Sequence, residues 1–389
     1  MDSKPKLIYI TSRFPYPLEK GDKLRAYYQL KYLSLHFDIH LISLTELVVS
    51  PDEFEMVNKW CKSIHLFKVS KITKYLNTAF YFFKSQPFQV GYFYDVRIHR
   101  KIKQLLNDIQ PDHIFCQLIR VSEYIKDYHA CPKTIDFMDA LSKGMERRAE
   151  VERKYFLRWF YSTESSRLKR YEVSVFDFFE HHVMISEQDK KAIFHSENAR
   201  IKVVPNGVDD AFFISPAKHK EYELVFTGNM SYTPNIEACR FLVKSILPNL
   251  ALNVKLLISG ANPTQEVKNF ANDKVTVTGW VDDIRESYQK GKIFVAPMFL
   301  GTGLQNKLLE AMAMGLPAIT TSLANNALGG IPEQDILVAN SEEQFLFAIN
   351  KLLSDKPFYN KIQENGKAFV RVQFSWKTTV SQLILFMKN

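Results

Sequence analysis

The chain has 389 residues, 46% hydrophobic and 24% charged, with a formal net charge of +9. That length exceeds one ordinary core and predicts two domains. The composition excludes a disordered or fibrous chain, and no run reaches the roughly 18 apolar residues of a membrane span. The basic balance calls for an anionic partner: nucleic acid, an anionic membrane or a diphosphate. No zinc-finger, basic-zipper or RNA-binding aromatic signature occurs, so no nucleic-acid partner is expected.

In chain order, Leu7–Thr11 and Ile39–Thr45 read as buried strands around an amphipathic segment, Asp22 to Leu35. Such a β-α-β unit builds a parallel sheet. Further strands are predicted at Ser63–Val69, His113–Cys116, Lys133–Asp136 and His182–Ser186. Around Ile201 to Asp209 a short strand runs into Pro205-Asn206-Gly207, a turn composition that marks the domain boundary. The alternation then restarts. Glu223–Thr227 ends at Gly228-Asn229, Val254–Ser259 at Gly260, and Val275–Thr278 at Gly279-Trp280. Ile293–Met298 and Ala318–Thr321 flank one more glycine loop and its helix, and Ser375 to Asn389 reads as a closing helix. Strands that end repeatedly in glycine loops put a ligand crevice at their C-terminal ends. The expected architecture is α/β, in two Rossmann-like parallel-sheet domains, residues 1–205 and 206–375.

Cys61, Cys116, Cys131 and Cys239 are scattered, as free thiols of a reducing compartment are. Neither His-Glu-x-x-His nor Asp-x-Asp occurs, so no catalytic metal and no cofactor are expected. A cytoplasmic location follows as the default. The segment 147–179 interleaves bases with aromatics, Arg153-Lys154-Tyr155-Phe156-Leu157-Arg158-Trp159-Phe160-Tyr161 and then Arg167 to Tyr171. It reads either as a long domain helix with its aromatic side packed inward or as a peripheral contact with an anionic membrane.

The most informative stretch runs from Gly301 to Pro317, GTGLQNKLLEAMAMGLP. A glycine loop opening a helix offers unpaired backbone N–H groups and a positive dipole end, which suit a phosphate. Lys307 adds a full charge, and Glu310 lies three residues on. A carboxylate is a poor phosphate ligand but a good acceptor for sugar hydroxyls. Amides, Lys and Glu together imply a sugar nucleotide.

This motif resembles the donor site of the family 4 retaining glycosyltransferases, which have the GT-B fold. There a Glu-x7-Glu pattern precedes Ala-Met-Ala-x-Gly-x-Pro; Glu310 matches the second Glu, and Thr302 stands where the first would be. The resemblance implies a donor cleft between the two domains and a terminal helix, 376–389, that crosses back onto the first domain. It implies donor binding by Gly21, Gly228, Asn229, Thr302, Gly303, Leu304, Lys307 and Glu310, with Trp280 and Val281 in the loop that holds the base. Bland readings stand beside these: a turn glycine at 21, a core Trp at 280, a solvated helix lysine at 307. Asp136 and Asp139 flank a strand end where many family members carry His-Asp; Asp139 matches the Asp and Met138 takes the His position. Asp139 is then a catalytic candidate beside Lys307 and Glu310, or a helix N-cap.

The segments Arg13 to Arg25, Thr134 to Lys143, Arg170-Tyr171-Glu172 and Val183 to Glu187 resemble a branch tied to bacterial exosortase and exopolysaccharide systems. The implied reaction moves a sugar, with retention, from a nucleoside diphosphate sugar (UDP or GDP leading) to a lipid-linked or growing glycan at the inner membrane face. The alternatives are a GT-B sugar-nucleotide epimerase and a non-catalytic sugar-nucleotide-binding component of an assembly complex.

Overall fold

The computed structural model describes residues 4–46, 48–70, 77, 81, 85–214, 219–300 and 304–388. The chain divides into two compact units: Met1–Pro205 with Val380–Asn389, and Asn206–Thr379. The closing helix, Trp376–Met387, spans that division, its residues from Val380 onward grouping with the first unit.

The first unit holds a seven-stranded sheet: β1 (Lys6–Thr11), β2 (Asp38–Thr45), β3 (Ser63–Lys68), β4 (His113–Gln117), β5 (Lys133–Met138), β6 (His181–Met184) and β7 (Lys202–Val203), in the order β3-β2-β1-β4-β5-β6-β7. The second holds six: β8 (Tyr222–Thr227), β9 (Leu256–Ser259), β10 (Val275–Val277), β11 (Gly291–Ala296), β12 (Ala318–Thr320) and β13 (Leu337–Val338), in the order β10-β9-β8-β11-β12-β13. Every pairing is parallel. Central strands are covered on both faces, which is why Leu7-Ile8-Tyr9-Ile10 and Ile293-Phe294-Val295-Ala296 run as unbroken apolar stretches with no exposed side. In each sheet the order reverses beside the first strand, between β1 and β4 and between β8 and β11. A crevice opens at the C-terminal ends of strands at such a point.

A buried polar knot fastens the first sheet. Arg25, on the helix Gly21–Leu33, donates from Nε to Asp136 Oδ2 at 2.6 Å and from Nη2 to Val204 O at 2.9 Å. Gln29 Nε2 donates to the same carboxylate oxygen at 3.0 Å, and Tyr9 Oη donates to Gln29 Oε1 at 2.5 Å. Asp136 Oδ1 accepts from Met138 N at 3.0 Å, across a register shift in β5 that turns Met138 to φ +61°. Arg25 and Asp136 are both fully buried.

The segment 147–179 is not one helix. Leu141–Val151 ends at Glu152, and a second helix, Tyr155–Phe176, follows. Two acids on the second helix serve the starts of two other helices, Phe88–Phe93 and Leu141–Val151. Glu164 accepts from the N–H groups of Phe88 and Gln89 at 2.8 and 3.0 Å, and Glu172 accepts from Ser142 N and Oγ at 3.0 and 2.6 Å. Each satisfies donors that a helix N-terminus leaves open. Leu168, Tyr171, Val175 and Phe176 pack inward, so the inward-facing reading holds for the C-terminal half of this helix. It fails for the first turns, where Tyr155 is 86%, Phe156 70% and Trp159 41% exposed.

The two acids at the end of β5 therefore differ in kind. Asp136→Ala leaves the buried Arg25 guanidinium unpaired and should cost about 3–5 kcal/mol, read as an earlier urea midpoint. Asp139→Ala, at an exposed side chain whose carboxyl is raised on folding, should cost no stability at pH 7 and should hold or raise the midpoint. Equal losses would contradict the division of roles.

Candidate functional site

In the second unit the elements around the β8/β11 switch point converge on Lys307 and Glu310. Both lie on the helix Asn306–Ala313, whose N-cap residue, Gln305, makes no side-chain capping bond. Leu308, Leu309, Ala311, Met312 and Ala313 are buried and seat the helix against the core. That fixes the direction in which Lys307 and Glu310 leave it.

Lys307 is not a solvated lysine. Its Nζ donates to Asn235 Oδ1, approaches Met298 Sδ at 3.9 Å and stands 5.0 Å from the centre of the Phe226 ring. Burial lowers its pKa to about 8, while the Cys239 thiol and the Glu310 carboxylate pull the other way. Glu310 Oε2 accepts from Tyr288 Oη at 2.8 Å, and the same hydroxyl lies 2.8 Å from Thr227 Oγ1. Burial raises the Glu310 carboxyl to about 7, against the Tyr288 hydrogen bond and the Lys307 charge. Desolvation thus outweighs mutual attraction at both groups.

The glycine after β8 is required by space. A Cβ on Gly228 would lie 2.7 Å from Asn235 Nδ2 and 3.3 Å from Lys307 Nζ. Gly260, after β9, has φ +139°, and a Cβ there would lie 1.9 Å from Gly228 O. Asn229 is exposed; its carbonyl accepts from Asn235 Nδ2 at 2.8 Å, and its side chain accepts from Ser231 N and Oγ at 3.0 and 2.8 Å. Gly228, Asn229, Asn235, Lys307 and Glu310 are therefore tied into one place. Leu304 is half-buried just ahead of the helix. Thr302 and Gly303, with Gly301, lie outside the described residues.

Trp280 is no core residue: it is 69% exposed, its Nε1 donating to Asp282 Oδ1 at 3.3 Å. It follows Gly279 (φ +74°) at the end of β10, next to the half-buried Val281. Such an open indole face can stack on a flat ring. In the first unit, Gly21 opens its helix with nothing within 4 Å of a would-be Cβ, so packing does not demand glycine there. Asp139 is an exposed residue whose carboxyl lies within reach of other charged side chains. Loss of water raises its carboxyl to about 6, with Asp189 and Asp136 adding to the shift and Arg25 and Arg147 opposing it. Asp136 is spent on Arg25, Gln29 and the Met138 amide and takes no external ligand.

Tyr288, Asn235 and Thr227 escaped the sequence reading. Asn235 and Tyr288 are 72 and 22 residues from the side chains they hold, and only the glycine after Thr227 hinted at a strand end. Among the described residues no cluster of His, Cys, Asp or Glu could hold a metal ion, and no helix is long and apolar enough to cross a membrane.

The two-sheet architecture has close counterparts. The crystal structure of Anabaena Alr3699/HepE in complex with UDP and glucose superposes with a TM-score of 0.68 at 13% identity, over 99% of this chain and 100% of that one. Sucrose-phosphate synthase from Thermosynechococcus elongatus gives 0.67 at 13% identity, over 99% and 98%. The fold is that of the GT-B glycosyltransferases. Within this GT-B chain, residues 221–355 match the family model of the glycosyl transferases group 1, a span that contains Gly228, Asn235, Trp280, Tyr288, Lys307 and Glu310. An uncharacterized 44.6 kDa protein in the cps region of Klebsiella pneumoniae is 20% identical over 406 aligned residues, covering 97% of this chain and 98% of the relative.

The raised Glu310 carboxyl has a consequence for stability. Its native pKa, about 7, exceeds the ordinary 4.5, so between those values the native state binds more protons than the unfolded one. Stability is lost as pH rises across that window, and the loss is complete above it. Glu310→Gln should flatten the fall in melting temperature of the ligand-free chain between pH 5 and 8. An unchanged slope would mean that the carboxylate is already well solvated.

Proposed function

We propose that the chain is a retaining glycosyltransferase of bacterial surface-polysaccharide assembly. It moves a sugar from a nucleoside diphosphate sugar, with UDP or GDP as the base carrier, to a hydroxyl of a lipid-linked or growing glycan. The observation that carries this reading is the desolvated pair on one helix face: Lys307, held by Asn235 beside the uncapped helix start, and Glu310, held by Tyr288. Lys307 and the helix N–H groups stabilise the departing diphosphate. Glu310 accepts from the ribose hydroxyls, and Trp280 stacks on the base. Support comes from the group 1 match, from the UDP and glucose held by the structurally similar HepE, and from the cps-region location of the Klebsiella relative. Asp139, with its carboxyl raised to about 6, orients the sugar or stabilises positive charge at C1. The chemistry is metal-independent and uses no cofactor.

Donor binding needs Glu310 ionised and Lys307 charged. With pKa values of about 7 and about 8, affinity for UDP or GDP should peak between those pH values and fall on either side. Lys307→Met should weaken binding at least about tenfold, the scale of one charge-assisted hydrogen bond. Glu310→Ala should remove the acidic limb. Calorimetric titration of both nucleotides across pH 6–9 checks this, and no binding of either would defeat the reading.

Met138, standing where the resembled family carries His, favours one second reading: a sugar-nucleotide-binding component without turnover. Slow donor hydrolysis by the wild type, lost in Lys307→Met, supports the transferase; tight binding with no hydrolysis or transfer supports the second reading.

A membrane-surface acceptor is proposed on the strength of the helix Tyr155–Phe176. Its exposed Tyr155, Phe156 and Trp159 stand among the exposed bases Arg153, Lys154 and Arg158. Aromatics anchor at the headgroup boundary while the bases engage anionic lipid. Sedimentation with vesicles containing about one-third phosphatidylglycerol should pull down the wild type but not Phe156→Ser/Trp159→Ser. Equal sedimentation of both would remove this helix from any membrane contact.

A further inference from the structure

The switch point of the first sheet carries chemistry that the donor site leaves unused. Arg13 lies just beyond β1 and Arg120 just beyond β4, the two strands between which the order reverses. Their guanidinium carbons stand 5.8 and 5.7 Å from the centre of the buried Phe93 ring, so one aromatic ring gathers both cations. Arg13 Nη1 pairs with Asp22 Oδ2 at 2.6 Å, and Arg120 donates from Nε and Nη2 to Gln89 Oε1 at 3.1 and 2.8 Å. These anchors fix both forks. They leave Arg13 Nε and Nη2 and Arg120 Nη1 with no hydrogen-bond partner among the described residues.

The local charge balance is strained. Burial and then the Arg13 charge lower the Arg120 pKa to about 10, with the exposed Arg148 adding to the shift and Asp22 and Asp139 opposing it. Burial and a neighbouring cation both disfavour the charged guanidinium, and a docked anion would offset that cost. Asp22 is already committed to Arg13, so the protein's own carboxylates do not balance the group. Paired guanidinium forks with remaining N–H groups fit phosphate oxygens.

We propose that Arg13 and Arg120 bind a phosphate or diphosphate carried by the acceptor, with Arg148 at the rim. The anion site itself stands on the first unit alone; that the anion belongs to an acceptor rests on the transferase reading. The transferred sugar's own diphosphate has separate provision in the second unit, at Lys307 and the helix start. The acceptor class is therefore an anionic one, a phosphate-linked lipid or glycan.

The test titrates inorganic pyrophosphate into the chain saturated with UDP or GDP, so that the donor site is filled. Wild type should still bind pyrophosphate. Arg120→Gln should weaken it at least about tenfold and Arg148→Gln about threefold, the scale of lost charge-assisted contacts, while nucleotide affinity stays within about twofold of wild type. Arg148 is exposed, so its variant separates lost binding from lost folding. Farnesyl diphosphate in place of pyrophosphate distinguishes the carriers: tighter binding assigns the phosphate to a lipid, and equal binding assigns it to the anion alone. The proposal is overturned if nucleotide-saturated wild type ignores pyrophosphate. It is overturned equally if the arginine variants weaken nucleotide binding, since the cluster then serves the donor's phosphates. Failure of the transferase reading looks different: no nucleotide binds, yet pyrophosphate is still held through Arg120.

Discussion

A parallel sheet whose first strand lies at its centre imposes one constraint on everything near it. Right-handed crossovers carry the chain to one face on one side of that strand and to the other face on the other side. The strand ends at the reversal are left uncovered, and the loops there carry whatever chemistry the chain possesses. Both units obey this. In the first, the reversal between β1 and β4 gathers Arg13 and Arg120 around Phe93, with Asp139 beyond the neighbouring β5. In the second, the reversal between β8 and β11 gathers Gly228, Lys307 and Glu310. The chemistry differs because the side chains differ, not because the scaffolds do.

The first unit meets that constraint with a buried ion pair. Arg25 and Asp136 bind a helix, β5 and the chain leaving β7 into one unit. A buried pair adds little net stability over a packed apolar equivalent, but it is costly to break. Its effect here is positional. Asp136 receives the Met138 amide, Met138 takes a left-handed backbone, and the next residue, Asp139, is delivered to the surface. Two acids three residues apart thus end in opposite states, one fully buried and paired, the other open to a ligand.

How much of this was legible depended on sequence distance. The strands could be read because a doubly covered parallel strand is a short, unbroken apolar run, as at Leu7 to Ile10 and Ile293 to Ala296. Gly228 and Gly260 could be read because close backbone approach tolerates no Cβ. Lys307 and Glu310 stood out because loop, charge and carboxylate occur together in one short stretch. Asn235 and Tyr288 did not, since neither carries a local mark of the side chain it holds. Arg120 was invisible for the same reason: its neighbours Arg13, Phe93 and Arg148 come from three other segments. The break at Glu152 was hidden because no proline or glycine lies near it to mark the stop.

The arrangement of Lys307 and Glu310 argues against a purely structural pair. Two opposite charges kept for stability satisfy one another, and an ammonium and a carboxylate on one helix at this spacing can do so. Here each takes a neutral partner instead, Lys307 the Asn235 carbonyl and Glu310 the Tyr288 hydroxyl. Burial shifts both toward their uncharged forms, Lys307 down and Glu310 up. A site built only to hold itself together gains nothing from keeping two charges desolvated and apart. A site that must present a cation to one end of a ligand and an acceptor to the other needs that separation. In the proposed transferase, the folding free energy lost at these groups is the preorganisation that would serve donor binding.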